Sequence, residues 1–435
     1  MSSTARSAST TSPASTASSD RAASTVGPVN TASSASAAAV PPAVEPVIVA
    51  GARTPFTRLL SQQASLSAVD LGAHAIRHAL SRSGVDAAAI DTVIMGQVVQ
   101  AGQGQNPARQ SALAAGLGWD VPAVTLNKVC LSGLTAVIDA ARLIRTGEAT
   151  AVIAGGQESM SNGPHLLPGS RTGTKYGPAT LLDSVAHDGL TDALSQESMG
   201  DLTERGNTEL GIDRRAQDEV AAASHQRAAA ATEAGIHAEE IAPIEIPRRT
   251  GEALLVDRDE GVRPDTTAET LARLRPAFAT DGTITAGNSS PLSDGAAALV
   301  ITSRAYAEEH GLTILAAIGA PGQVAGPRDS SLHSQPSAAL QAALQRAGWQ
   351  AGDLDLIEIN EAFGAVVAQS LTDLEFPLER TNIHGGAIAL GHPIGASGAR
   401  LALTAALELA RRGGGRAGVS LCGGGGQGEA LLLSA

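Results

Sequence analysis

Three observations predict an α/β protein built from two duplicated halves with a segment inserted between them. Short buried-strand runs alternate with helical periodicity, the pattern of a parallel sheet with helices on its faces. Two separate pairs of elements recur at one offset of about 265 residues, the mark of a duplication. The stretch 161–292 follows neither pattern, with Pro164, Pro168 and Pro178, glycine-bearing turns and charged helical runs such as 214–231.

At 435 residues the chain exceeds one small core, and two or three lobes are expected. Hydrophobic residues at 43% and charged residues at 17% describe a soluble globular chain. Aromatics at 2% against 48 glycines predict a core of Ala, Val, Leu and Ile with closely packed backbone. A net charge of −13 argues against nucleic acid as the main partner, while local Arg or helix N-termini could still hold an anionic ligand. Two cysteines cannot build a disulfide framework or a Cys-rich metal site, which fits a reducing compartment. No apolar run approaches about 18 residues, so no membrane span is expected.

Residues 1–44 are expected to be disordered. Of the first 40 positions 29 are Ser, Thr or Ala, without apolar periodicity, and such a segment buries too little surface to offset its ordering entropy. It lacks the apolar core of a secretory signal, and Arg6 and Arg21 are thin support for a transit peptide. Order is expected from Val47-Ile48-Val49-Ala50, a short buried strand ending at Gly51. Leu71, Ala75, Ile76, Ala79 and Leu80 predict a helix broken by Gly84, with 92–95 as the next strand. Val121, Val124 and Leu126 lead into Cys130, after which Leu134, Ile138 and Ala141 stand at helical spacing before the strand 151–154 and Gly155-Gly156. The second half answers in kind: 338–348, 353–355 and 356–359 echo 73–84, 89–91 and 92–95. The runs 396–410 and 418–421 with Gly423-Gly424 echo the helix after Cys130, its strand and Gly155-Gly156.

Four stretches carry chemistry. Asn127-Lys128-Val129-Cys130-Leu131-Ser132-Gly133-Leu134 sets Cys130 where a helix begins, so the dipole and free N–H groups favour thiolate. An isolated cysteine is more often buried and inert; a His, an Asn-Glu pair and a second Cys downstream reverse that reading. Asn360-Glu361-Ala362-Phe363 follows the strand 356–359, where polar groups face the crevice in which α/β sheets bind ligands. Asn there is also a common helix cap. His392 lies between Gly391 and Pro393, with Gly385, Gly386, Gly395 and Gly398 around it, a turn that suits close approach of substrate and proton exchange. Cys422 heads Gly423-Gly424-Gly425-Gly426, a thiol at a strand end beside N–H groups of the kind that form an oxyanion hole. Thr285-Ala286-Gly287-Asn288-Ser289-Ser290, before the buried run 296–302, is either a ligand-binding edge or a tight turn.

In this order NKVCLSG, NEAF, GHPIGASG and CGGGGQG resemble the signature blocks of the thiolase family, and 155–160 and 285–290 match as well. The resemblance covers 46–435 and is nearest to the bacterial acetyl-CoA acetyltransferase (acetoacetyl-CoA thiolase) branch. It implies the thiolase fold, two duplicated α/β halves packed as a layered αβαβα sandwich with an inserted loop domain. The expected divisions are a disordered extension at 1–44, an N-terminal half at 45–160 and 293–311, a loop domain for CoA binding and oligomer contacts at 161–292, and a C-terminal half at 312–435.

The resemblance also implies the reaction, a reversible Claisen condensation of two acetyl-CoA to acetoacetyl-CoA and CoA. Cys130 would carry the acetyl group as a thioester. His392 would activate Cys130 and help hold the thioester oxygen of the second substrate, with Asn360 orienting a water beside it. Cys422 would remove the α-proton, and the N–H groups of Cys130 and Gly424 would form the other oxyanion hole. CoA contacts would come from Leu190, Arg263, Thr270, Ala277, Phe278, Gly287, Ser290, Leu292, Ala362 and Phe363, with Arg263 meeting the charged or adenine end of CoA. Met199 marks a short, closed acyl pocket. No metal and no tightly bound cofactor is implied, CoA being substrate and product. Acetyl-CoA, acetoacetyl-CoA and CoA are the expected partners, without nucleic acid or membrane, for a cytoplasmic homotetramer (a dimer of dimers).

Two positions depart from the family pattern. Ser198 precedes Met199-Gly200 where short-chain members carry a pantetheine-contacting His, and Ala325 aligns where many place a Met beside the acyl pocket. The second change would open space, which keeps a degradative 3-ketoacyl-CoA thiolase of β-oxidation as the alternative. A ketosynthase would need a second His where Asn360 stands, and a papain-like hydrolase has no use for Cys422 and its glycines. A non-catalytic acyl-CoA binder is disfavoured by the intact set Cys130, Asn360, His392 and Cys422.

Overall fold

The computed structural model describes residues 41–326 and 329–435. The expectation for the Ser/Thr/Ala-rich extension lies, up to residue 40, outside the described residues. Pro42–Val44 already forms a 3-10 turn, so regular structure starts before the boundary expected after residue 44.

The first half runs β1 (Pro46–Arg53), β2 (Thr57–Arg58), α1 (Ala68–Ser83), β3 (Thr92–Gly96), α2 (Pro107–Ala114), β4 (Ala123–Leu126), α3 (Ser132–Thr146) and β5 (Ala151–Ser159). The stretch after it holds the pair β6 (His165–Leu166) and β7 (Leu182–Asp183), then helices α4 (Met199–Leu210), α5 (Arg214–Glu233) and α6 (Ile236–Glu240). A second pair, β8 (Ile244–Ile246) and β9 (Leu254–Val256), precedes α7 (Ala268–Leu271). β10 (Ser293–Ser303) and α8 (Arg304–Glu309) complete the first half. The second is β11 (Ala316–Ala325), α9 (Gln335–Ala347), β12 (Leu356–Ile359), α10 (Gly364–Leu374), α11 (Ala387–Leu390), α12 (Ser397–Arg412), β13 (Arg416–Gly423) and β14 (Gln427–Ser434).

The duplication is visible in the strand order β12-β13-β14-β11-β1-β10-β5-β3-β4. Outward from the β1–β11 junction, where Val47 faces Ala317, the succession β1-β10-β5-β3 mirrors β11-β14-β13-β12. The expectation of a parallel sheet holds only for the crossover units, β3 with β4 and β5, and β12 with β13. β1, β10, β11 and β14 pair antiparallel with their neighbours. Connections explain the difference. Residues 424–426 join β13 to β14 as a hairpin, which forces antiparallel pairing. β10 pairs with β5 in the same way, Asp294 opposite Ser159, so the whole stretch 160–292 takes the place of a hairpin turn.

Helix boundaries follow local chemistry. α1 opens with a capping box, Ser67 with Asp70, and closes on Gly84 in the left-handed region at φ 71°. α3 and α12 are the middle layer: Val137, Ile138, Leu401 and Leu409 share one core with Ile301, Val419 and Leu431 from the sheets on either side. α1 and α2 cover the first sheet outside with Leu71, Ile76 and Ala112. α9 and α10 cover the second with Leu340, Leu344 and Val367. The result is a five-layered αβαβα sandwich.

In the middle layer the first turns of α3 and α12 touch backbone to backbone. A Cβ on Gly398 would lie 2.4 Å from the Leu134 amide nitrogen, which is why glycine is required there. Overpacking of this kind costs about 1–3 kcal/mol, so Gly398→Ala should lower the urea-unfolding midpoint. An unchanged midpoint would show that the two helices have room to part.

Candidate active site

Cys130 sits in the five-residue link between β4 and α3. Asn127 Oδ1 accepts the Val129 N–H at 2.9 Å, and Ser132 Oγ accepts the Lys128 N–H at 2.9 Å while donating to the Val129 carbonyl at 2.6 Å. These bonds hold Val129 at φ 51°, a left-handed conformation costly for a β-branched residue. Sequence reasoning missed this strained residue, although Asn127 and Ser132, both ready to bond local backbone, were the available signal.

The backbone groups of Cys130 and Gly424 act to lower the Cys130 pKa. The thiol is nevertheless pushed up to about 12, first by burial and then by the nearby Glu158 carboxylate. The expected thiolate at a helix start is therefore not the resting state. α3 begins only at Ser132, and a dipole contributes about 0.3–1 kcal/mol where burial shifts a group by several pK units. Cys422, 1% exposed at the end of β13, is pushed up in the same way by burial and then by Cys130.

His392 lies on the turn between α11 and α12, following Gly391 at φ 120°. Its backbone N–H donates to Ser293 Oγ at 3.1 Å, and its Nδ1 is 2.6 Å from Ser397 Oγ. The Ser397 hydroxyl donates to the Pro393 carbonyl at 3.0 Å, so Nδ1–H is the donor to Ser397 and Nε2 is left as the free base. Burial, and then Arg400, push the imidazole down to about 3, so it is neutral. Asn360, buried at the end of β12, brings its Nδ2 to 3.4 Å from His392 Nε2. It caps no helix, since α10 starts at Gly364.

Two buried carboxylates brace this turn. Glu158, at the inner end of β5, accepts the N–H groups of Val98 at 3.0 Å, Val99 at 3.1 Å and Gly395 at 2.9 Å, and burial pushes it up to about 7. Glu361 accepts from Ser224 Oγ at 2.6 Å, Asn382 Nδ2 at 2.8 Å and the Ile388 N–H at 3.0 Å. Neither was assigned a role from the sequence; an acid inside a fully buried run such as 151–159 was the signal available.

Cys130, His392, Cys422 and Gly424 line one cavity of about 310 Å3. Leu190, Met199, Phe278, Ser290, Leu292, Ala362 and Phe363 are in its walls, joined by Met160, Leu332 and Ile394, which sequence reasoning did not single out. The turn 285–290 is a wall and not merely a turn: the Ser290 N–H and Oγ both donate to the Ala362 carbonyl at 3.1 Å. Arg263, Thr270, Ala277 and Gly287 do not line the cavity. Arg263 and Ala277 are exposed, the Thr270 hydroxyl donates to the Thr267 carbonyl at 2.9 Å, and Gly287 packs on Leu271 and Leu274.

Ala325 is exposed at the end of β11 opposite Gln427 and lines no part of the cavity; Leu332, 3% exposed, stands in the wall instead. The sequence between β11 and α9 carries no apolar periodicity, so counting along it cannot tell which side chain reaches the cavity. The opened acyl pocket inferred from Ala325 is thereby overturned. Ser198 does line the cavity, but its hydroxyl caps α4, accepting the Asp201 N–H at 3.1 Å and donating to Asp201 Oδ2 at 2.7 Å. Among the described residues no group of three or more His, Cys, Asp or Glu is arranged to hold a metal ion.

The family profile of the thiolase N-terminal domain matches residues 46–305, and that of the thiolase C-terminal domain matches 312–435. A protein of Mycolicibacterium smegmatis named probable acetyl-CoA acetyltransferase is 56% identical over 387 residues, 89% of this chain and 100% of the relative. One of the same name from Mycobacterium tuberculosis is 55% identical over 389 residues, 89% and 99% of the two chains. The acetyl-CoA acetyltransferase of Pseudomonas aeruginosa is 48% identical over 388 residues, 89% and 98%.

Because Cys130 rests as a thiol held near 12, iodoacetamide should label it at a rate that keeps rising with pH through 9. A rate that levels off near neutral pH would reveal a thiolate–imidazolium pair and overturn the neutral resting state.

Proposed function

The chain belongs to the thiolase family, and we propose that it is an acetyl-CoA C-acetyltransferase, joining two acetyl-CoA into acetoacetyl-CoA and CoA through acetyl-Cys130. The names of its relatives support this reading. The observation that carries it is one apolar cavity holding two thiols and a neutral imidazole, with Gly424 in the same wall.

The resting protonation states suggest a closed proton cycle. Cys130 Sγ attacks the thioester carbon of the first acetyl-CoA while His392 Nε2 takes its proton. The oxyanion is held by the N–H groups of Cys130 and Gly424, preorganised in a water-poor site. CoA leaves with the proton of Cys422, which makes that thiol a thiolate beside the second substrate. Cys422 then removes the α-proton, and the enolate oxygen is met by the protonated Nε2 of His392 with Asn360 beside it. The carbanion attacks acetyl-Cys130, and the released Cys130 sulfur recovers its proton from His392. Ser397 serves both forms of the ring without change, because Nδ1 carries its hydrogen whether or not Nε2 is protonated.

Met199 and Leu332 close the cavity and favour the acetyl group over longer chains. Arg263, exposed, is assigned to the charged end of CoA, with Thr270, Ala277 and Gly287 along the same path. CoA serves as substrate and product, with no resident cofactor. We infer a cytoplasmic homotetramer. Support for assembly comes from the terminal strand β4, where Val124 and the nearby Trp119 are 49% and 83% exposed, and from exposed Leu167, Tyr176 and Leu181 around the β6–β7 pair.

Acetyl-CoA alone should add one acetyl group to Cys130, found by peptide mass spectrometry. Cys422→Ala should keep that acetylation, since CoA can leave as a thiolate, but lose condensation by about 10²–10⁴-fold. In heavy water the wild type should wash deuterium into the acetyl methyl group and this variant should not. Exchange at the wild-type rate would move the base to another residue, with His392 the first suspect.

A further inference from the structure

Leu332 and Met199 belong to one apolar cluster in the wall of the cavity, yet they come from separate parts of the chain. Met199 is the first residue of α4; Leu332 lies in the link before α9. One side chain ties these two segments together. His333 is 1% exposed, and its Nε2 is 2.8 Å from Asn207 Oδ1 on α4. The ring fills a notch made by a glycine on the same helix, for a Cβ on Gly206 would lie 2.3 Å from His333 Cε1. Asn207 is oriented from its other side: its Nδ2 donates to Thr283 Oγ1 at 2.9 Å, and that hydroxyl donates to Glu204 Oε1 at 2.7 Å. Oδ1 therefore faces the ring, and Nε2–H is the donor. The His333 carbonyl accepts from Ser370 Oγ at 3.1 Å, which anchors the link to α10.

We propose that His333, bonded to Asn207 and lodged at Gly206, is a positioning residue that latches Leu332 against α4 and so sets the acyl chain-length limit of the cavity. The latch rests on the acetyltransferase reading. It touches no reacting atom. Its effect passes through Leu332, whose side chain is fixed in place by the residue next to it, and through Met199 at the head of the helix to which that residue is bonded. Without the bond the link is free to move outward by the width of a methylene, which is the difference between rejecting and admitting a longer chain.

The test compares thiolysis of acetoacetyl-CoA and 3-ketohexanoyl-CoA by the full-length chain. Asn207→Leu keeps the volume but removes the acceptor. The ratio of kcat/KM for the short over the long substrate should fall by about tenfold or more, the scale on which apolar pockets discriminate single methylenes. His333→Gln, which retains a donor, should keep most of the wild-type ratio. A ratio unchanged in Asn207→Leu, even with a lowered melting temperature, would reduce the bond to a purely structural one and overturn the latch. If that variant does not fold, Asn207→Ser, too short to reach the ring, carries the same comparison. A wild-type enzyme inert toward acetoacetyl-CoA but active on longer chains would overturn the acetyltransferase reading, a result distinct from an unchanged ratio.

Discussion

The contact between the first turns of α3 and α12 governs this molecule. Cys130 precedes α3 by two residues, and His392 precedes α12 by five. Both helices lie in the middle layer, so their separation fixes the spacing of Cys130 and His392, the proposed nucleophile and base. Backbone meets backbone there: a Cβ on Gly133 would lie 2.9 Å from both the Ala399 amide nitrogen and the Gly395 carbonyl oxygen, and Gly398 rests on the Leu134 amide. Misplacement by about 1 Å can cost 10²-fold in rate, which gives the glycines of this seam a catalytic consequence without any chemistry of their own. The duplication supplies the symmetry that brings two equivalent helices together, and each half then adds its own chemistry.

Burial is the second governing effect. It keeps both thiols protonated and the imidazole neutral, so the site at rest carries no net charge among its reacting groups. In the proposed cycle charge is created only during reaction, where the N–H groups of Cys130 and Gly424 are assigned to meet it. The carboxylate of Glu158 lies close enough to raise Cys130 further, and in exchange it fixes the backbone of Val98, Val99 and Gly395. One buried acid thus braces the end of β3 and the His392 turn together.

The stretch between β5 and β10 shows how a substrate wall is added to a duplicated scaffold. Its counterpart in the second half is the short turn 424–426. It brings α4, with Met199 and the Asn207 bond to His333, and the turn 285–290 that is fastened to Ala362. The scaffold therefore holds the reacting groups, while the added segment shapes what reaches them.

Sequence by itself determined the duplication and the end of α1 at Gly84, and it singled out Cys130, Asn360, His392 and Cys422, which the fold brings together, because each leaves a local mark in periodicity or glycine context. Strand direction was not legible, since a hairpin closed by 160–292 looks like a domain insertion and not like a turn. Nor was the part of the cavity wall where Ala325 of β11 was expected and Leu332 of the link before α9 stands. The protonation of Cys130 and the roles of Glu158 and His333 were decided only in three dimensions. A pKa depends on how much water the whole fold removes, and a buried hydrogen bond on which distant backbone or side chain arrives opposite, and neither quantity is a property of any one stretch of chain.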